Sequence, residues 1–485
     1  MSWRKREFES KTTADPFLRT PAEPDRAQRR RRGLLVCFAI LFGSPLLGSP
    51  IGAEERPNLL FILTDDQRYD SLGCAGHALV KTPTIDRLAA DGVRFEHAFV
   101  TTPICAASRA SILTGTWELR HGYTFGTDPL QPTHAHASYP ALLKAAGYRT
   151  GFVGKFGIRS EIPPRKSLFD EFHPMGQPFW RQGKNGERRH LTELIGDTAK
   201  GFLRRTSDEQ PFCLSISFAA PHAVDGGKAF PYPAPNREKD RYAKAQVPAP
   251  LVPTSAFEDM PPFLRDSMHR DRWHWRWDTP EKYNAHTRAY FAMITAVDRV
   301  VGEIWSELEK RGFEENTVVI FTSDNGYYLG SRGFAGKWSH YDESLRVPLV
   351  IRDPRISKKL RGRVATEFAL NVDLAPTLLD LAGVSPPTTM QGRSLLPVLE
   401  GKPTRWRREF FGEHRFDHER IPKWEGIRGE RYVYARYYEN LPEGELLHDL
   451  TIDPFQLRNL AKDPAYAEVL ETLRKRCEQR RSELR

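Results

Sequence analysis

Four short apolar runs each lead into residues able to do chemistry: 58–64 into Asp65-Asp66, 150–153 into Gly154-Lys155, 212–218 into Pro221-His222, and 317–322 into Asp324-Asn325. The acidic pair and the Asp-Asn pair offer hard oxygen donors without thiolates or clustered imidazoles, a set that suits calcium or magnesium rather than zinc. Either pair alone reads equally as a turn or a helix cap. Both at strand ends favour a cation. Cys105 follows Thr101-Thr102-Pro103 and precedes a helical run, 108–113, so Arg109 lies one turn away. Two readings of the cysteine stand open: a thiolate nucleophile stabilised by a helix end and an arginine, or a small buried hydrophobe.

These groups need a scaffold that brings them together. The runs are rich in Val, Ile, Leu and Phe without polar alternation, which predicts strands buried on both faces in a mostly parallel sheet flanked by helices. In such α/β sheets, ligands bind beyond the carboxyl ends of the strands. Helical patterns fill the intervals: 84–90 after Pro83, 138–146 up to Gly147, and 279–311, whose stripe of Phe291, Ile294, Val297, Val301, Ile304, Trp305 and Leu308 reads as core packing. Residues 223–280, rich in Pro, Arg, Trp and His, form a loop insertion without a convincing strand. A helix over 371–382 is followed by a Pro-rich bridge. A hairpin, 432–438 with 445–449, and a charged helix, 465–482, then complete a smaller α+β domain with a short antiparallel sheet. The expected division is 1–53, a catalytic domain 54–390 and a C-terminal domain 391–485.

At 485 residues, with 39% hydrophobic and 28% charged residues, the chain has an ordinary globular composition. Arg29 to Arg32 precede an apolar stretch, 33–47, that closes on small residues near Ala53, the pattern of a secretory leader. An uncleaved anchor is the alternative, and the paired arginines also suit a twin-arginine route. Half of the +10 net charge lies in these 53 residues, so the remainder is only mildly basic. That suits an anionic substrate without calling for nucleic acid. Five scattered cysteines give neither a disulfide framework nor a zinc ribbon.

The stretch Cys105-Ala106-Ala107-Ser108-Arg109 through Leu113-Thr114-Gly115 resembles the type I sulfatase signature, with alanine where the third position is usually proline. The resemblance spans about residues 56–462 and includes Gly336-Lys337-Trp338-Ser339-His340, similar to the second long signature of that family, within the alkaline phosphatase superfamily. It implies that Cys105 is oxidised to formylglycine by a formylglycine-generating enzyme, and that one Ca2+ is held by Asp65, Asp66, Asp324, Asn325 and residue 105. Arg109, Lys155, His222 and Lys337 resemble the groups that hold the formylglycine and the sulfate. His222 is expected as a donor at neutral pH, its alternative being a structural loop histidine, and Lys337 as the acid for the departing alcohol. One departure stands out: the family often has histidine two residues after the strand-end lysine, and here that residue is Gly157. A water or a histidine from the insertion is expected to replace it.

The implied activity is sulfuric ester hydrolysis in a secreted or periplasmic protein without stable membrane insertion once the leader is removed. The alternation Arg270-Asp271-Arg272-Trp273-His274-Trp275-Arg276-Trp277 suits a sulfated glycan by stacking and guanidinium pairing, or else is an amphipathic cover of the catalytic domain. Rival readings are a phosphodiesterase or phosphonate monoester hydrolase of the same superfamily and a non-catalytic binder of sulfated glycans.

Overall fold

The computed structural model describes residues 56–183, 186–225, 230–402 and 405–485; the leader expected over 1–53 lies outside them. The described residues form one compact unit. Its main sheet has eight strands: β1 (Asn58–Thr64), β2 (Val93–Phe95), β3 (Arg149–Gly154), β4 (Glu171–Pro174), β5 (Phe212–Ser217), β6 (Thr317–Ser323), β7 (Leu349–Arg352) and β8 (Arg363–Ala365). Their spatial order is β8-β2-β7-β6-β1-β5-β3-β4. The four strands expected from the apolar runs are the four central neighbours, β6-β1-β5-β3, and all pair in parallel. β7 runs antiparallel to both its neighbours, so the sheet is mixed at one side. It escaped the sequence reading because three apolar residues and an arginine after Pro348 carry too little pattern to separate strand from loop.

β1 shows why the runs lack alternation. Leu59, Phe61 and Leu63 enter one apolar core, and Leu60 and Ile62 the other, so successive side chains are buried on opposite faces. On the Leu60 face lie α1 (Pro83–Ala90), α3 (Leu191–Arg204) and α5 (Pro280–Arg311). On the Leu59 face lie α2 (Cys105–Thr114), α6 (Leu374–Leu381) and a four-stranded antiparallel sheet of β9 (Glu409–His414), β10 (Trp424–Gly429), β11 (Tyr432–Arg436) and β12 (Glu445–Asp449). The expected hairpin is β11–β12, joined by Pro442-Glu443-Gly444. All seven stripe residues of α5 are buried, and Gly312 ends that helix at φ 70°. The insertion contains no strand among its described residues, but it is not wholly loop: the cation and aromatic alternation falls in α4 (Met268–Arg276). The charged helix closing the unit, α7 (Ala467–Glu483), buries only Leu470 and Cys477.

The antiparallel sheet docks on the segment after α2 through carboxyl groups. Leu119 N–H donates to Glu413 Oε1 at 2.9 Å, while both carboxyl oxygens of the neighbouring Glu118 are buried without a partner. Burial pushes Glu413 up to about 7 although Arg415 lies 3.7 Å away, and burial together with Glu413 holds Glu118 well above the usual range. An unfolded glutamate releases its proton near about 4.3. The folded state retains it, so the pair's contribution to stability is lost as pH rises from about 4.5 through 7. Glu413→Gln is expected to remove about 2–3 kcal/mol of this pH dependence. Urea unfolding of both proteins at about pH 5 and about pH 8 checks it; equal slopes would contradict the assignment.

Candidate active site

The four central strands end at one level. Thr64 pairs with Ser323, Leu63 with Ser217, and Ser217 with Gly154. Every reactive pair follows directly or within a short loop, so register alone gathers Asp65, Asp66, Asp324, Asn325, Lys155 and His222. Asp66 takes a left-handed backbone, φ 62°, which aspartate tolerates better than bulkier residues. Its N–H donates to Asp324 Oδ1 at 3.3 Å, fastening the two strand ends together.

Cys105 and Arg109 arrive from the α2 side. Asn371 holds this segment, accepting from Thr101 N–H at 3.0 Å and donating to Ser108 Oγ at 3.0 Å. The helix starts at Cys105 itself, three residues before the expected run, with Ile104 extended ahead of it. Arg109 is nearly fully engaged: Nε donates to Asp324 Oδ2 at 2.7 Å, one terminal nitrogen to Asp65 Oδ2 at 3.2 Å, and the other to Ser217 Oγ at 2.6 Å and Lys155 O at 2.7 Å. It is a clamp on the acidic cluster. Lys155 Nζ pairs with Asp65 Oδ2, and Lys337 Nζ with Asp66 Oδ1, which also accepts from Asn325 Nδ2 at 2.6 Å. Trp338 fixes the backbone beside Lys337, its N–H donating to Pro103 O and its carbonyl accepting from Trp424 Nε1 at 2.9 Å.

The electrostatics follow from burial. Desolvation opposes ionisation of Asp65, but Lys155, His222, Arg109 and Lys337 outweigh it and hold the carboxyl below its usual range. Asp324 goes the other way: burial and the charge of Asp65 push it up to about 6 despite Arg109. The site therefore carries crowded negative charge. Asp65 Oδ1 and Asn325 Oδ1 are buried without any hydrogen-bond partner, and Asp65, Asp66 and His222 each offer a ligand atom within 4.8 Å of one another. Orphaned oxygens among carboxylates fit a hard divalent cation.

Burial bears on the state of two of these residues. Burial raises the Cys105 thiol despite Lys155 and Lys337, so the sulfur is a protonated thiol rather than a stabilised thiolate. His222 donates from Nδ1 to Ala223 O at 2.5 Å, with Gln177 Nε2 donating to the same carbonyl at 3.1 Å. Burial also depresses the ring's pKa. A neutral His222 thus presents a bare Nε2, 3.6 Å from Asp66 Oδ2, and donates there only as a cation.

Position 157 explains the family departure. Gly157 has φ 70°, and a Cβ there would lie 2.8 Å from Arg109 Cδ. The insertion's histidines do not replace the missing ring: His269 is buried against Tyr328, Phe334 and Trp338, and His274 pairs with Asp278. The site opens into a cavity of about 520 Å³ floored by Cys105, Lys155, His222 and Lys337, and its lining histidines are His222 and His418, from the β9–β10 loop. His418 and Gln177 were missed in the sequence, where nothing near them carries a strand-end or helix-end signal.

Residues 57–384 match the sulfatase family, and residues 330–483 match the C-terminal region of N-sulphoglucosamine sulphohydrolase. The chain belongs to the sulfatase family and is a sulfatase, an enzyme that hydrolyses sulfate esters. It is similar to the N-acetylglucosamine-6-O-sulfatase of Bacteroides thetaiotaomicron, 30% identical over 85% of this chain and 84% of the relative. The solved structure of BT4656 in complex with its substrate D-glucosamine-2-N,6-O-disulfate superposes with a TM-score of 0.75 at 26% identity, covering 89% of this chain and 98% of that one. The phosphonate monoester hydrolase of Silicibacter pomeroyi shares the fold, with a TM-score of 0.74 at 24% identity over 88% and 96% of the two chains.

Supplying the family's ring through Gly157→His is expected to displace Arg109 and lower kcat by roughly 100-fold, since shifts near 1 Å in such clusters have that effect. Steady-state rates on an aryl sulfate check it. An unchanged or raised kcat would show that position 157 has room.

Proposed function

We propose that this sulfatase acts on sulfate esters of sugars, with Cys105 converted to formylglycine by a formylglycine-generating enzyme and one Ca2+ held by Asp65, Asp66, Asp324, Asn325 and residue 105. The observation that carries the reading is a buried Cys105 at the cavity floor beside an acidic cluster in which Asp65 Oδ1 and Asn325 Oδ1 are orphaned. The similarity to an N-acetylglucosamine-6-O-sulfatase supports the sugar. Among the described residues no helix is long and apolar enough to cross a membrane. We place the enzyme outside the cell or in the periplasm, with 1–53 as leader, 54–390 as catalytic domain and 391–485 as its smaller companion.

The modified residue supplies a hydrated aldehyde, a nucleophile that can be regenerated, and the cation supplies positive charge beside it. The chain's own groups do the rest. Arg109 keeps Asp65 and Asp324 ionised and oriented. Lys155 and Lys337 border the floor and neutralise charge on the sulfate oxygens. Lys337 Nζ, held above its usual pKa by Asp66 against the cost of burial, stays protonated and can give a proton to the departing alcohol. His222 Nε2, bare when neutral, is the group placed to accept one.

The peptide containing residue 105 is expected to weigh less than the encoded sequence by the exchange of one sulfur and two hydrogens for one oxygen. Cys105→Ala is expected to reduce aryl sulfate hydrolysis to background, and Lys337→Ala to lower kcat by roughly 100-fold or more. Mass spectrometry and steady-state assays on aryl sulfates and phosphate diesters check these points. Full turnover by Cys105→Ala would remove the nucleophile, faster diester than sulfate hydrolysis would favour the phosphodiesterase reading, and glycan binding without turnover would favour the binding protein.

A further inference from the structure

The alternation of cations and rings in 270–277 resolves into one residue facing the site. Arg270 donates to Gly333 O at 2.6 Å and lies over the rings of Phe257 and Trp273. Arg276 is buried and donates to Tyr327 OH at 3.1 Å, and Trp277 is core. Arg272, one helical turn after Met268, lines the cavity that holds Cys105, Lys155 and Lys337.

Its guanidinium is only weakly engaged. The carbon lies over the ring of Trp338, the residue next to Lys337, at 4.8 Å from its centroid. Its Nε is buried without a partner. Its charged neighbour is Asp225, at 3.5 Å from one terminal nitrogen, and the Asp225 side chain is 65% exposed, so water weakens that pair. The cations at the floor differ: Arg109, Lys155 and Lys337 are each tied to a carboxylate of the cluster. A planar fork with an unpartnered Nε and a single weak resting partner, set over an aromatic ring beside a sulfate site, is suited to take a second anion in bidentate fashion.

We propose that Arg272 is a specificity-determining residue that binds a second anionic substituent, sulfate or carboxylate, on the sugar that carries the scissile ester, with Asp225 as its weak resting partner. The inference rests on the sugar sulfatase reading and adds that the preferred substrate carries two anions. The cavity, at about 520 Å³, is of the size that encloses a small ligand.

The test follows p-nitrophenyl sulfate hydrolysis by the mature enzyme and measures competition by glucosamine bearing one sulfate or two. The doubly sulfated sugar is expected to compete roughly 10- to 100-fold more tightly, the range for a charge-assisted hydrogen-bond pair. Arg272→Gln is expected to abolish that preference while kcat/KM for p-nitrophenyl sulfate stays within about two-fold, because that probe has no second anion to lose. Arg272→Lys should keep part of the preference, and Asp225→Asn should widen it. Equal competition by the two sugars in the wild type overturns the proposal. So does an Arg272→Gln variant that loses aryl sulfate and sugar recognition alike, or an Asp225→Asn variant that narrows the preference. Absence of hydrolysis of p-nitrophenyl sulfate and of both sugar sulfates alike would instead overturn the sugar sulfatase reading, and this inference with it.

Discussion

The constraint on which the site depends is the burial of three carboxyl groups, Asp65, Asp66 and Asp324, at the ends of adjacent parallel strands. Taking charge out of water is costly unless it is paired and hydrogen-bonded. The chain answers with Arg109 from α2, Lys155 from the end of β3 and Lys337 from the loop after β6. That answer is incomplete, because Asp324 still sits at about 6 and two buried oxygens remain without donors. A hard cation among those oxygens completes it, and the proposed chemistry at residue 105 uses the same positive charge.

The scaffold exists to hold that crowding in place. Seven parallel strands with one antiparallel member give in-register ends, the Leu60-face helices seal one side of the sheet, and α2 presses the reactive residue toward the acids from the other. The antiparallel sheet contributes from a distance, since Trp424 holds the backbone of Trp338 beside Lys337, and the β9–β10 loop carries His418 into the cavity wall. The insertion contributes Arg272. The floor of the site thus comes from the ends of the central strands, from α2 and from the loop after β6, while its walls come from the insertion and the β9–β10 loop.

Much of this was legible in the sequence. The central strands could be read because burial on both faces leaves long apolar runs, and their reactive ends because polar pairs interrupt those runs abruptly. α5 declared itself by its stripe and by Pro280 and Gly312 at its ends. The short strands β2, β7 and β8 could not be read, since three or four residues carry no period. The thiol state of Cys105 and the tautomer of His222 could not be read, because the first depends on burial and the second on a carbonyl neighbour, neither of which a local pattern encodes. His418 and Gln177 reach the site through tertiary packing alone. The mixed run 270–277 left a glycan-binding surface and an amphipathic cover both open, and packing separates its members: Arg276 and Trp277 are buried, while Arg272 lines the cavity.

Melting temperature with and without a chelator tests the central claim most directly. Stripping divalent cations from the purified protein is expected to lower Tm, because repulsion among Asp65, Asp66 and Asp324 is then uncovered. Calcium added back should restore it at one ion per chain, and Asp324→Asn should blunt the response. A Tm that stays the same or rises on chelation would contradict the account, since it would mean that Arg109, Lys155 and Lys337 already neutralise the buried acids without an ion.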